Sequence, residues 1–554
     1  MSPAPSDLIL RGARVHTVDP HLPYAEALAV RDGRIVWLGA DADAAAWTGP
    51  GTQVIDAAGR LVLPGFVDAH NHVRLGSDDA CVQLAGISSL DGIHARIRDW
   101  AEAHPDAEWI EAEAFDYSAI PQGRMPHARD LDPATGERPA FVLSYDVHTA
   151  WLNTAALRRL GIDRHRTQLP FGDADVDPVT GEPTGFVKNF AVKGLSRDGH
   201  RALRELGVPW ASPDRQYGRL VKSLDDAARF GITTVVEPQN SLDDLALFER
   251  ARAEGRLRSR LVAALFHPRG TGDTDLDVFA AAARRFDDDR LRVGPLKLYI
   301  DDVVEPRTAA LLEPYAGCGR HRGETFYPPE EFAELLAGLD ARGFQCFVHA
   351  TGDRGIRTVL DAVAHARAVN GPRDARHQVV HVECLDPADV PRFAELGVVA
   401  CMQPRHCAPE IAGPGRDWAE NVGADRWHKA WPMRSLRDAG AVLAFSSDWN
   451  VAEMDPMVGL YTAVTRRPLD QGADGEPWCP QETVDIETAV HGYTMGSAYA
   501  NFLEDELGSL TVGKLADFVV LSRDILRCDP KDIPGTVAET VVVGGEVIHT
   551  ASAV

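Results

Sequence analysis

The sequence predicts an α/β fold: a (β/α)8 TIM-like barrel, a β-sandwich domain built from both termini, and a large insertion after the first barrel strand. Three observations lead to this prediction. Eight short apolar segments alternate with helical patterns, as parallel barrel strands do. Both ends of the chain consist of short strand patterns joined by turn signals. A long stretch of mixed pattern separates the first apolar segment from the second.

The two ends of the chain are predicted to form one sandwich, with residues 1–60 as its N-terminal part and residues 506–554 as its C-terminal part. Asp32-Gly33 is a tight hairpin signal between two apolar runs. Gly544-Gly545 is a turn between two strand patterns near the C-terminus. The alternative is two unrelated hairpins.

Residues 61–75 are predicted to contain the first barrel strand, which ends in two histidines. The apolar run Leu61 to Val67 suits a strand that is covered on both faces. Because side chains alternate along a strand, His70 and His72 are expected on the same side. Two imidazoles at the C-terminal end of one strand can bind a single cation. The alternative is a pair of ordinary loop or core histidines.

Residues 76–205 mix helices, turns and polar loops, and the stretch is too long to be a loop. Its place after the first strand predicts a lobe over the C-terminal ends of the barrel strands. There it would act as a lid or set specificity. The alternative is an independent packing domain.

Residues 206–505 are predicted to supply the rest of the barrel. The eight predicted strands are Val62–His72, Ile232–Glu237, Leu261–Phe266, Pro295–Asp301, Cys346–Ala350, Gln378–Glu383, Val398–Gln403 and Val442–Asp448. The predicted helices include Tyr217–Phe230, Pro329–Arg342, Arg354–Ala368 and Asp386–Leu396. In such a barrel the active site lies at the C-terminal ends of the strands.

Polar side chains stand among apolar neighbours near those ends. They are Lys297 on the fourth strand, His349 on the fifth, His381 on the sixth and Asp448 on the eighth. Each one alone is more often a hydrogen-bonded core residue than a ligand. Four of them at one barrel mouth, with the two histidines of the first strand, indicate a metal site instead.

The composition narrows the functional classes. The formal net charge of −25 opposes binding to nucleic acid, and is compatible with neutral or cationic substrates or with solubility alone. The eight cysteines include no Cys-x-x-Cys pair, so neither a structural zinc site nor a disulfide framework is expected. Residues 1–7 lack the pattern of a signal peptide, and no apolar run is long enough to span a membrane. A cytoplasmic protein is expected, and a homo-oligomer is left open.

Several motifs together resemble the amidohydrolase superfamily, in particular the amidohydrolase family 3 branch that includes N-substituted formamide deformylases. The stretch from Leu63 to His72 resembles the opening motif of that branch. The other matching stretches are Gly181 to Gly185, Val348 to Arg354, Ser446 to Trp449 and Gly508 to Asp517. They are spread over nearly the whole chain.

The resemblance implies a metal-dependent hydrolase of carbon–nitrogen bonds in a small-molecule amide, such as an N-formyl or N-acyl amine. The family's metal ligands carry over onto His70, His72, His349 and His381, with Lys297 as a bridging, often carboxylated, lysine. Asp448 carries over as the catalytic aspartate, the general base, and also as a ligand. The cofactor is then one or two divalent ions, most often zinc, with manganese or iron as alternatives.

Two segments depart from the family pattern, so the substrates of the family transfer poorly to this chain. The family usually has Asp-Gly-Ser after the strand-four lysine, whereas Asp301 to Pro306 reads Asp-Asp-Val-Val-Glu-Pro. Asn450 stands where a proline is usual. Lys297 also has an alternative role, as an unmodified ammonium paired with Asp301 on the same strand face.

Four further residues are candidates for substrate binding. They are His406 after strand seven, His148 in the inserted lobe, Trp449 and Tyr299. His406 could orient the substrate or stabilise an oxyanion, and it is as readily a plain loop histidine. The two aromatic residues could wall a pocket or simply pack beside it.

Other functions remain open on the same fold, because a fold does not fix a reaction. Cyclic amide opening, deamination and decarboxylation are alternatives on the same metal site. A catalytically silent binding protein is a third class, which the complete set of histidines and Asp448 argues against.

Overall fold

A parallel eight-stranded barrel forms the centre of this computed structural model, which describes residues 4–76, 78–121 and 124–551. The ends of the predicted sandwich at 1–3 and 552–554, and residues 77, 122 and 123 of the predicted insertion, lie outside the described residues. The barrel strands are Phe66–Asp68, Ile232–Asn240, Arg260–Phe266, Leu291–Tyr299, Cys346–Ala350, Gln378–His381, Val399–Met402 and Leu443–Phe445. The predicted (β/α)8 class is confirmed.

Hydrogen bonds just past the first and last strands draw the barrel's open edge together. The Ala69 N–H donates to the Phe445 carbonyl at 3.3 Å, and the Asp448 N–H donates to the His70 carbonyl at 2.8 Å. The surrounding helices of this part are Pro213–Arg229, Leu245–Ala253, Asp273–Arg285, Pro329–Ala341, Asp353–Asn370, Val390–Leu396, Pro409–Ala412, Asp417–Val422, Met433–Asp438, Pro456–Thr465, Ile486–His491 and Ser497–Ala500.

The opening apolar run is not one strand, which corrects the prediction for Leu61 to Val67. Leu61–Pro64 pairs with Phe518–Leu521 in the sandwich, and Phe66–Asp68 pairs with Ile232–Asn240 in the barrel. The chain changes sheets at Gly65, where an added Cβ would lie 2.2 Å from the Thr233 side chain. Only a glycine therefore allows this close crossing.

Strands from both termini share one six-stranded sheet, which excludes two unrelated hairpins. In spatial order its strands are Glu546–Thr550, Ala538–Val543, Phe518–Leu521, Leu61–Pro64, Arg14–His16 and Tyr24–Ala25. A second sheet of Arg34–Gly39, Ala27–Arg31, Leu8–Arg11 and Gln53–Asp56 completes the sandwich. Asp517 accepts two hydrogen bonds from Arg260, at 2.7 and 2.8 Å, and joins the sandwich to the third barrel strand.

The chain between the first two barrel strands folds around a sheet of its own. Its seven strands in spatial order are Gln168–Leu169, Gly172–Val176, Pro183–Lys188, Ala150–Leu152, Ala140–Ser144, Ile110–Phe115 and Val82–Gln83. Its helices are Leu90–Ala103, Ala128–Thr135, Thr154–Leu160, Phe190–Lys193 and Arg197–Glu205. The loop after Ala140–Ser144 reaches the barrel mouth, where His148 Nδ1 is hydrogen-bonded to Asp302.

Several element ends differ from their predicted positions. Strands six, seven and eight end at His381, Met402 and Phe445, so Glu383, Gln403 and Asp448 lie in the loops beyond them. A 3-10 turn, Pro387–Asp389, precedes the helix that was predicted to begin at Asp386. None of the helices within the described residues combines the length and apolarity needed to cross a bilayer.

Candidate active site

Asp448 lies at the centre of a buried group of histidines at the barrel mouth. Its Oδ1 atom is 3.3 Å from His72 Nε2 and 3.6 Å from His70 Nε2, and its Oδ2 atom is 3.6 Å from His381 Nδ1. The ligand atoms of His70, His381 and Asp448 all lie within 4.8 Å of one another. Residues that end or follow strands one, six and eight therefore converge on one point.

His70 and His72 converge by a different route from the one predicted. Both follow the end of Phe66–Asp68, so strand alternation does not place them. Instead, the bend that follows the strand positions both histidines. The His72 N–H donates to the Trp449 carbonyl at 2.6 Å, which fixes this bend against the loop after the eighth strand. Their ring centroids are 5.2 Å apart.

His349 and Lys297 stand on the other side of the group. The His349 ring centroid is 4.4 Å from that of His381, and its Nε2 atom is 3.2 Å from the Asp302 carbonyl oxygen. Lys297 Nζ lies 4.8 Å from the Tyr299 ring centroid, and burial lowers the pKa of this amine to about 8. Lys297 is thus an unusually weak base in an enclosed position.

The alternative pairing of Lys297 with Asp301 is wrong. Asp301 lies past the end of its strand, and its carboxylate accepts hydrogen bonds from the N–H groups of Ala310, Thr351 and Gly352, at 2.9, 3.1 and 3.0 Å. Among the residues described, no carboxylate forms an ion pair with Lys297.

The group has the properties of a site for a divalent cation. His70 Nδ1, His70 Nε2 and Asp448 Oδ1 are buried and have no hydrogen-bond partner in the described chain, although buried polar atoms normally have one. Burial and the charge of Lys297 hold the pKa of His70 well below its usual range, so the ring is neutral and can donate a lone pair. Imidazole and carboxylate donors suit zinc, manganese or iron.

The electrostatics of Asp448 favour its ionised form. Burial alone would raise the pKa of this carboxyl. The close contact with the His72 ring and the nearby imidazoles of His70 and His381 outweigh burial and hold its pKa well below the usual range. The group is therefore a carboxylate under ordinary conditions, as a ligand or a proton acceptor requires.

Sequence reasoning missed the residues that orient the histidines. Glu237 Oε1 lies 3.7 Å from His72 Nδ1, and the Gln403 side chain lies 2.9 Å from His381 Nδ1 through its Oε1 atom. Asp68 accepts hydrogen bonds from the backbone N–H and side chain of Ser447, at 2.9 and 2.6 Å. Lys297 was identified by the rule that polar side chains near the C-terminal ends of barrel strands form the site, which we call the strand-end rule. Glu237 lies near the C-terminal end of the second strand, so the same rule could have identified it.

Three of the four candidate substrate-binding residues lie in the site. His148 Nδ1 is hydrogen-bonded to Asp302, which ties the inserted lobe to the barrel. His406 stacks on His381 with an interplanar angle of 9°, and its Nε2 atom is 3.9 Å from Asp448 Oδ2. The Tyr299 ring lies 4.8 Å from that of His349.

Trp449, the fourth candidate, does not line the cavities at this centre. Its indole N–H donates to Ser223 Oγ at 3.2 Å, on helix Pro213–Arg229. Trp449 therefore packs behind the site and does not form its wall.

A cavity opens from the histidines toward the inserted lobe. Its lining combines the carboxyl groups of Asp146, Glu305 and Glu383 with the rings of Tyr145 and Trp431. It also includes His148, His349, His381, His406 and Asp448. Burial and the nearby Asp146 raise the pKa of Glu305 to about 8. A second set of close donor atoms, from His381, Glu383 and His406, lies along this cavity.

Comparison with known proteins gives consistent relatives over most of the chain. The sequence profile of the amidohydrolase family matches residues 53–549. Protein LONG AFTER FAR-RED 3 of Arabidopsis thaliana is 29% identical over 559 residues, which cover 98% of this chain and 91% of that protein. The N-substituted formamide deformylase of Arthrobacter pascens is 28% identical over 534 residues, 94% of each chain.

The fold has a close match among solved structures. The crystal structure of an uncharacterized metal-dependent hydrolase from Pyrococcus horikoshii superposes with a TM-score of 0.72 at 22% identity. The match covers 94% of this chain and 99% of the other. At this level of identity the likeness shows a shared fold.

Proposed function

This chain belongs to the amidohydrolase family, and from that premise we propose that it is a metal-dependent hydrolase of a carbon–nitrogen bond in a small-molecule amide. The resemblance predicted from the motifs is confirmed. N-formyl and N-acyl amines are the proposed substrates, since one relative is a formamide deformylase. The observation that carries the proposal is the buried donor set of His70, His381 and Asp448, in which both His70 nitrogens and Asp448 Oδ1 have no hydrogen-bond partner among the described residues.

The residues that would hold the metal are His70, His72, His349, His381 and Asp448, with Lys297 between two ions if two are bound. Zinc suits these donors best, and manganese or iron would also fit. When bound, such a cation lowers the pKa of water and polarises a carbonyl oxygen.

Lys297 is proposed to carry a carboxyl group on Nζ. An ammonium repels a cation, whereas a carbamate is an anion with two oxygen ligands. Carbamate formation joins the neutral amine to carbon dioxide and releases a proton, and the lowered pKa of about 8 makes the neutral amine more abundant than in an ordinary lysine. The absence of an Asp301 partner leaves the amine free to react.

Asp448 is proposed as the general base. Its carboxylate would accept a proton from the attacking water and pass it to the leaving nitrogen. His406, whose Nε2 atom has no hydrogen-bond partner among the described residues, would donate a hydrogen bond to the oxyanion that develops on the carbonyl oxygen.

The test is a metal-dependence experiment on protein purified without chelators. We expect bound divalent metal by elemental analysis, together with hydrolysis of some member of a panel of N-formyl and N-acyl amines. Removal of the metal should abolish hydrolysis, and added zinc or manganese should restore it, because the donor set needs its cation.

Product analysis then separates the competing reactions. A free amine plus a carboxylate indicates linear amide cleavage, whereas a single ring-opened product, ammonia or carbon dioxide indicates one of the alternatives. Full activity in verified metal-free protein would show that the proposal is wrong.

A further inference from the structure

We propose that the substrate carries a positive charge, as an ammonium or guanidinium group, which binds between the carboxyl groups of Asp146 and Glu305 and the aromatic faces of Tyr145 and Trp431. This inference rests on the proposed function for the reacting end of the molecule. It adds the chemical class of the rest of the substrate molecule.

The carboxyl groups that line this cavity are not paired with a lysine or an arginine of the described chain. Apart from a contact with its own backbone N–H, the Glu305 carboxyl group makes no hydrogen bond or ion pair with any described residue. Asp146 accepts only from uncharged donors, including the Tyr117 hydroxyl at 3.0 Å and the His148 backbone N–H at 2.9 Å. Glu383 accepts from the indole N–H of Trp418 at 2.9 Å.

Several buried carboxylates in other parts of the described chain lie against a basic side chain, whereas Asp68 and Asp301 are held by uncharged donors. Examples are Asp517 with Arg260, Asp78 with Arg219, and Asp353 with Lys429. Among the described residues that line this cavity, none is a lysine or an arginine. Burial disfavours the ionised form of these carboxyl groups, and a cationic group on the ligand would supply the positive charge that stabilises it.

A second observation points to a ligand independently of the acidic groups. Trp431 and His406 are 1% and 8% exposed, and the nitrogens Trp431 Nε1 and His406 Nε2 have no hydrogen-bond partner in the described chain. Both residues line the same cavity. A carbonyl oxygen of a bound amide would satisfy a donor at this position, and an aromatic face stabilises a cation.

The lining of the cavity fits one molecule that contacts both the proposed catalytic centre and the acidic groups. His381 and Asp448 of the proposed centre and Glu305 all line this one cavity. Glu305 lies in the segment after strand four that departs from the family's usual Asp-Gly-Ser. The acidic side chain that it places in the cavity is therefore a feature of this chain and is not part of the family motif. A substrate with its amide at Asp448 can therefore place a charged end at Glu305.

The experiment compares two non-hydrolysable probes that differ only in charge. N-(4-aminobutyl)methanesulfonamide ends in an ammonium, and N-(4-hydroxybutyl)methanesulfonamide ends in a neutral hydroxyl. Calorimetry on the zinc-loaded protein should show at least ~10-fold tighter binding of the ammonium probe. Glu305→Gln should remove most of that preference while its zinc content stays unchanged.

Control variants keep the result interpretable. Glu313→Gln makes the same change of charge at an exposed position outside the cavity and should keep the preference. If Glu305→Gln does not fold, as judged by its melting temperature, Asp146→Asn serves as the second variant and should weaken the preference in the same direction.

Two results would overturn the inference. One is equal or weaker binding of the ammonium probe, including undetectable binding of both probes. The other is a preference that survives in the folded Glu305→Gln variant. Hydrolysis of the matching formamides tests the proposed function separately. If neither formamide is cleaved but the binding preference holds, the hydrolytic proposal fails and the inference stands. If the neutral formamide is cleaved faster than the charged one, the hydrolytic proposal stands and the inference fails.

Discussion

Asp448 contacts more of the proposed centre than any other residue described above, with three histidines within 3.6 Å of its two oxygens. Asp448→Asn keeps the shape of the side chain and removes the base. We expect metal to remain at least partly bound while kcat falls by at least ~10²-fold, the lower range for a lost general base. Turnover and elemental analysis of the same preparation check this result. Near-native turnover would assign Asp448 another role.

Lys297 provides a second test at the scale of a single side chain. Lys297→Ala removes the proposed bridging carbamate, so we expect loss of metal and of activity, measured by elemental analysis and turnover. A short carboxylic acid added from solution should restore part of both, because it supplies the same oxygen ligands.

A matched control for this variant is Lys531→Ala, which removes a lysine paired with Asp529 far along the chain in the sandwich. It should leave metal content and turnover unchanged. A Lys297→Ala protein with native metal content would contradict the bridging role.

The strand-end rule found the residues at the centre because they follow regular elements. Lys297 and His349 lie on barrel strands, and His381 ends one. The rule could not find Glu305, Asp146 or Trp431. These three lie in loops far apart in sequence, and their meeting depends on how the inserted lobe packs on the barrel.

At the scale of elements, His200 makes the stability of the inserted lobe depend on pH. It lies on helix Arg197–Glu205 with its ring 5.5 Å from that of Trp210, and burial lowers its pKa to about 3. An unfolded histidine titrates near ~6.5, so the unfolded state binds more protons between these values. The stability that neutral His200 contributes to the fold is fully present above pH ~6.5 and is lost as the pH falls toward 3.

His200→Phe keeps a ring against Trp210 and cannot be protonated. The wild-type protein should lose up to ~1.4 kcal/mol of stability per pH unit through this group, and the variant should lose less. Melting temperatures at pH 7, 6 and 5 check the difference, with His428→Phe as an exposed control that should follow the wild type. Parallel curves for all three proteins would rule out this role for His200.

The element that sequence reasoning placed least well is the opening strand. The apolar run from Leu61 to Val67 is continuous, and both of its halves are buried, so hydrophobicity carries no sign of the break at Gly65. The break arises from tertiary contact, because Thr233 of the neighbouring strand leaves no room for a side chain at that position. Pairing of the two termini was predictable, since their turn-linked strand patterns are alike.

At the scale of the whole molecule, the buried pair of Arg260 and Asp517 connects the barrel to the sandwich. Asp517 also accepts a hydrogen bond from the Gly544 N–H at 2.7 Å. Asp517→Ala leaves a buried guanidinium without its partner, so the free energy of unfolding should fall by about 3–5 kcal/mol. Urea denaturation measures the change.

The double variant Arg260→Leu/Asp517→Leu separates the loss of the pair from the burial of a lone charge. It should lose less stability than Asp517→Ala, because no unpaired charge remains. Equal losses in both proteins would show that the packing of Asp517, and not its charge, holds the two domains together.

The order in which the sandwich sheet is assembled has a consequence for synthesis in the cell. Leu61–Pro64 lies between Arg14–His16 and Phe518–Leu521, so one of its partners is synthesised shortly before it and the other long after it. Until then the strand has an open apolar edge, which is a template for wrong pairing between nascent chains. A ribosome that stalls before residue 518 therefore releases a polypeptide that cannot cover this edge. Such fragments would be substrates for holding chaperones and proteases.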